Sequence, residues 1–161
     1  MEWFLIMAKA FWCGFAALGF GVLFNAPARA LAPVWAGGFL AGFVKYAILQ
    51  AATGAGVIPA SFAAALCVGI ASIWIAHLRH VPPMIFAVPS VIPLVPGVYA
   101  YRAILGLMNL TGEIDGEYPL MLSETVYNGV ITLFVIMALS LGVAVPMHVM
   151  RRVSFKNIRV K

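Results

Sequence analysis

Apolar residues along this chain run in five long blocks, at residues 3–24, 31–51, 59–76, 83–110 and 120–149, rather than alternating with polar ones. A helix needs about 20 consecutive mostly apolar residues to cross the hydrocarbon of a bilayer, and each block approaches or exceeds that length. Nothing in the blocks repeats with period two, so the strands of a membrane barrel are not indicated. The pattern predicts an all-α polytopic membrane protein, a single transmembrane domain over residues 1–161 with five transmembrane helices and a basic tail at 150–161. Polar or turn-forming gaps separate the blocks: Asn25 to Arg29, residues 52–58 with Gly54 and Gly56, residues 77–82, and residues 111–119 with Glu113, Asp115 and Glu117. The first block is too long for the apolar part of a signal peptide, and Met1-Glu2-Trp3 lacks a basic leader, so it reads as a span.

The fourth block differs from the rest. It contains Pro89-Ser90-Val91-Ile92-Pro93-Leu94-Val95-Pro96-Gly97, and three prolines this close cannot share one continuous helix. Each removes a backbone donor and pushes against the carbonyl four residues back. The spacing therefore predicts a fourth helix broken at Pro93-Pro96-Gly97, about 20 Å along the span at 1.5 Å per residue and so near the middle of the membrane. Unwound backbone at that depth survives only where protein shelters it or a wet cavity receives it, and broken helices at mid-membrane are a common way to build transporter sites.

Composition agrees. Hydrophobic residues make up 64% of the 161 and charged residues 9%, against roughly 45–50% and 25% in soluble chains. Ten Lys and Arg against five Asp and Glu leave a net charge of +5. The basic residues sit in short gaps and in the tail, which marks topology rather than a surface for nucleic acid. Arg29, Arg79, Arg151, Arg152, Lys156, Arg159 and Lys161 all fall on one side of a five-span arrangement. That side is expected to be cytoplasmic, with the N-terminus outside, in a bacterial inner membrane. Cys13 and Cys67 are too few and too far apart for a disulfide scaffold. His77 and His80, beside Arg79, make a poor metal site. No phosphate loop, nucleophile elbow or zinc-protease motif occurs, so neither an enzyme nor a bound cofactor or metal is expected.

Basic residues inside the spans carry the candidate chemistry, because a charge at the bilayer centre needs a partner, a wet cavity or a route to the surface. Lys9 and Lys45 lie toward outer helix ends, where snorkelling is one reading and a functional role the other. Arg102 follows the break. A half-helix starting at Gly97 would offer free amides and the positive end of its dipole, with Pro96 opening it, Tyr99 and Tyr101 adding hydroxyls and Arg102 a bidentate cation, a set that suits a carboxylate. The competing reading is a kinked packing helix with Arg102 paired to an acid. In the last span Glu124, Asn128 and Thr132 share a face, so Glu124, with Asn128, is a candidate for proton coupling, or else an interfacial carboxylate. Asn25, before Pro27, reads as a cap or turn residue. Gly38-x-x-x-Gly42, Ala17-x-x-x-Gly21 and Ala65-x-x-x-Gly69 predict close helix approach.

Phe24-Asn25-Ala26-Pro27-Ala28-Arg29-Ala30-Leu31, followed by Val91-Ile92-Pro93-Leu94-Val95-Pro96-Gly97-Val98-Tyr99-Ala100-Tyr101, resembles the small, membrane-only subunit of the bacterial threonine/serine exporter family. The resemblance covers nearly the whole chain. It implies a split exporter in which a larger homologous membrane subunit, or self-association, completes the transporter. It also implies threonine, serine or a dicarboxylate such as succinate as the exported substrate. Lys45 stands where a basic residue is usual in the family, and Arg102 where a smaller uncharged one is. The expected function is thus a secondary exporter subunit moving small carboxylate-bearing metabolites outward, with Pro96, Gly97, Tyr99, Tyr101, Arg102 and Lys45 at the substrate. The alternative is a non-catalytic accessory subunit that assembles a larger transporter.

Overall fold

The computed structural model describes residues 2–51, 54, 56–111 and 118–154, with the side chains of 2 and 151–154 excepted. The acidic positions Glu113, Asp115 and Glu117, most of the gap after residue 51, and the basic tail from 155 onward lie outside the described residues. Every regular element among the described residues is helical: α1 (Glu2–Leu23), α2 (Ala28–Ala51), α3 (Val57–Arg79), α4 (Pro83–Val91) with a 3₁₀ turn at Ile92–Leu94, α5 (Gly97–Leu110) and α6 (Tyr118–Ser154). Four of these helices are long and apolar enough to span a membrane, and α4 and α5 meet the same test as a pair, so that the spans number up to five. The five-span reading holds, with α3 and α6 running further than hydropathy alone indicated.

Helix ends follow local chemistry. Asn25 adopts a left-handed conformation (φ 55°), its amide donating to Val22 O and the Ala26 amide to Gly21 O, both at 2.9 Å. This 5→2 and 6→1 pair is the Schellman closure of α1, and Asn tolerates the left-handed region better than most residues. Asn25 is therefore a turn residue. His80 does the same after α3, with φ 53° and the Val81 amide reaching Ala76 O. Val81 is buried with Ala76, Val34 and Phe86 in one core cluster, which is the apolar contact that accompanies such a closure.

The chain divides into two compact units, residues 1–94 with 138–161, and residues 95–137. In the first, α1 and α2 pack antiparallel through their small residues. A methyl group added at Gly42 would stand 2.9 Å from Cys13 Cβ, and one at Gly38 would meet Ala17 and lie 2.8 Å from Cys13 O. α3 runs parallel to the second half of α6: Ala65 faces Gly142, where an added methyl would stand at 2.7 Å, and Gly69 faces Pro146. α4 lies on α2 where Gly37 leaves room for Ser90, whose hydroxyl, 1% exposed, hydrogen-bonds Phe86 O at 2.7 Å and Val34 O at 3.1 Å. Backbones this close gain dispersion contacts that lipid cannot replace, which is the driving force available to helices in a membrane. The second unit is smaller, α5 and the first half of α6, with Gly106 facing Thr125.

Candidate functional site

The break after Ile92–Leu94 is closed on one side by a lysine. Lys45, 8% exposed, donates from Nζ to Leu94 O at 2.9 Å. Leu94 ends the 3₁₀ turn, so its carbonyl has no helical donor ahead of it, and an unmet carbonyl within hydrocarbon costs several kcal/mol. A cation at a helix C-terminus also opposes the negative end of the dipole. The side chain of a helical residue leans toward the helix N-terminus, which carries Lys45 away from the nearer end of α2. Snorkelling, the bland reading of Lys45, is thus overturned. Lys9 is exposed and sits over the Tyr46 ring at 5.2 Å from the centroid, a cation–π contact that serves a lysine near a helix end.

On the other side of the break, Pro96 has φ −80° and ψ 71°, and the Gly97 amide donates to Val95 O at 2.9 Å. These values are those of an inverse γ-turn centred on Pro96. The expectation of a free Gly97 amide is therefore corrected: the turn uses it. Nothing lies within 4 Å of where a Gly97 side chain would begin.

Within the second unit a crevice of about 700 Å³ opens between α5 and α6, lined among others by Tyr99, Arg102, Asn109, Glu124, Thr125 and Asn128. Arg102 and Glu124 are both exposed and no ion pair joins them among the described residues. On the α6 side the threonine hydroxyls and the Asn128 amide are turned back on their own helix. Thr125 Oγ1 donates to Met121 O at 2.7 Å, Asn128 Nδ2 to Glu124 O at 2.8 Å and Thr132 Oγ1 to Asn128 O at 2.8 Å. This leaves Asn128 with a carbonyl oxygen to offer, Glu124 with its carboxylate and Arg102 with its full fork of donors. A guanidinium, a phenol and an amide oxygen on one wall set can bind the carboxylate and the ammonium or hydroxyl of a small zwitterion.

Of the residues marked in the sequence, Tyr99, Arg102, Glu124 and Asn128 come together here. Tyr101 does not line the crevice and is 63% exposed. Lys45 belongs to the first unit with Leu94, and Pro96 and Gly97 form the turn. Sequence reasoning missed Asn109 and Gly106, although Tyr99, Arg102, Gly106 and Asn109 follow the i, i+3, i+7 rule that places residues on one helix face. Gly106 matters because an added methyl would overlap Thr125 Oγ1.

Residues 9–149 match the family model described as "Threonine/Serine exporter, ThrE". An "Uncharacterized protein" of Haemophilus influenzae is 27% identical over 143 residues, covering 81% of this chain and 42% of that protein. The chain thus spans less than half the length of this curated relative. No solved structure matches it.

Proposed function

This chain belongs to the threonine/serine exporter family, and we propose that it is one membrane part of a secondary exporter that moves small carboxylate-bearing metabolites out of a bacterial cell. Exporter-type transport in a multi-pass membrane protein is what membership brings; the substrate, its site and the coupling are the proposal. Threonine and serine fit best, with a dicarboxylate such as succinate as the other candidate. The observation that carries this is the crevice of Tyr99, Arg102, Asn109, Glu124, Thr125 and Asn128, polar walls on segments of membrane-spanning character, where such groups are retained chiefly for a solute or ion pathway. In it Arg102 holds the carboxylate, Tyr99 and Asn128 its polar neighbours, and Glu124 exchanges the coupling proton. Lys45 and the Pro96 turn keep the broken span broken. The chain acts as a single membrane domain with its basic gaps inward and its N-terminus outward, joined by a larger homologous subunit or by another copy of itself.

The relative's greater length supports the need for a partner. The test is efflux from cells loaded in turn with labelled threonine, serine and succinate, with and without the chain. Loss of efflux of one solute class, restored by the wild-type gene, supports the reading. If Arg102→Ala restores it as well as wild type does, the chain assembles a transporter without holding the substrate.

A further inference from the structure

We propose that His77 and His148, with the thioethers of Met84, Met147 and Met150, form a binding site for a soft, closed-shell monovalent cation, Cu(I) or Ag(I). These five side chains line one cavity of about 330 Å³ in the first unit, whose remaining lining is apolar. They come from the last turn of α3, the first turn of α4 and the end of α6. His77 and His80 made a poor metal pair in the sequence; the fold uses His80 as the left-handed residue after α3 and sets His77 and His148 in the lining of one cavity.

Both imidazoles are prepared in the same way. His77 Nδ1 lies 2.8 Å from Ile73 O and His148 Nδ1 lies 3.0 Å from Ala144 O. A carbonyl can only accept, so in each ring Nδ1 carries the hydrogen and the neutral imidazole keeps its lone pair on Nε2. Metal-binding histidines are commonly held like this, with the second ring nitrogen donating to a backbone carbonyl that fixes tautomer and orientation. Two such nitrogens beside three thioethers select for a soft ion, because thioether sulfur suits Cu(I) and contributes little to Zn²⁺ or Mg²⁺. No group of three or more His, Cys, Asp or Glu occurs among the described residues, so a hard or borderline divalent ion lacks the anionic ligands it would need. Arg79, two positions after His77, further disfavours a double charge over a single one.

The site shares no residue with the Arg102 crevice, so its test is independent of the transport reading. The chain is purified in detergent with Cys13→Ala and Cys67→Ala, which removes the two thiols that would themselves take up silver. Ag⁺ is the probe, counted by mass spectrometry after gel filtration, with histidine ¹⁵N spectra recorded in parallel. One Ag⁺ per chain is expected, with the Nε2 resonances of His77 and His148 moving and Nδ1 staying. His77→Ala with His148→Ala should weaken binding by about tenfold or more, Met84→Leu with Met147→Leu should weaken it measurably, and His80→Ala should leave it unchanged. Circular dichroism and a single gel-filtration peak confirm that each variant is folded. Retention of full Ag⁺ binding by the folded double-histidine variant, absence of binding by the parent chain, or Zn²⁺ binding as tight as Ag⁺ would overturn the proposal.

Discussion

The two units treat the contact between helices in opposite ways. In residues 1–94 with 138–154, glycine and alanine meet backbone and small side chains across α1 and α2 and across α3 and α6, and among the hydroxyls there Ser72 and Ser90 are buried and bonded to carbonyls. In residues 95–137 the tight glycine contact is Gly106 on Thr125, and the polar part of the facing surface is an arginine, two tyrosines, two asparagines and a glutamate around an open crevice. Small residues let backbones close to contact and leave no room for solute. Long polar residues on facing helices hold the backbones apart and have groups left to bind something else. Close small-residue packing thus marks one unit and an open polar crevice the other, and in sequence Pro93 and Pro96 flank the division between them.

Overfilling the dry contact should have the largest effect. Gly38→Leu would drive a side chain into Ala17 and Cys13 and is expected to cost about 3 kcal/mol or more, at the upper end for overpacking; the fraction of chain recovered as a single gel-filtration peak reads this. Lys45→Met removes the donor to Leu94 O and should lower stability by about 1–3 kcal/mol, seen as a fall in thermal unfolding temperature in detergent that Lys45→Arg partly reverses. An unchanged midpoint for Lys45→Met would show that the Leu94 carbonyl finds another donor. Gly106→Ala, which meets Thr125 alone, should cost about 1 kcal/mol and be relieved by Thr125→Ala in the same chain, which removes the overlapping Oγ1. Gly97→Ala should fall within about 0.5 kcal/mol, since open space surrounds that position. Were Gly97→Ala more damaging than Gly106→Ala, the assignment of tight and open positions would be reversed.

Much of this was legible in the sequence, and the reasons differ by feature. Span number follows from hydropathy, because lipid demands long apolar runs. The break follows from Pro93, Pro96 and Gly97, because proline chemistry is local. That Gly38 and Gly42 mark a close helix approach follows from spacing, whereas α1 as the helix they meet is seen only in the fold. Partners distant in the chain were not legible: Lys45 and Leu94 are 49 positions apart, and only the fold shows that the lysine serves a carbonyl rather than the membrane surface. His148 was overlooked because its neighbour in space is on another helix. The crevice was half visible. Tyr99 and Arg102 stood out by type, whereas Asn109 and Gly106 needed the helical face to be followed to its end. Gly97 misled because a helix N-terminus usually has amides to offer, and here a γ-turn consumes the first one.

The central claim is that the α5–α6 crevice holds the carboxylate of the exported metabolite through Arg102. Its most direct test is efflux from loaded cells that make Arg102→Ala, Arg102→Lys or Tyr101→Phe chains at equal membrane levels. The account predicts a fall of about 10- to 100-fold for Arg102→Ala, as expected for loss of a charge-assisted bond, with partial activity in Arg102→Lys and wild-type efflux in Tyr101→Phe. Wild-type efflux by Arg102→Ala, or a loss with Tyr101→Phe as large as that with Arg102→Ala, would contradict it.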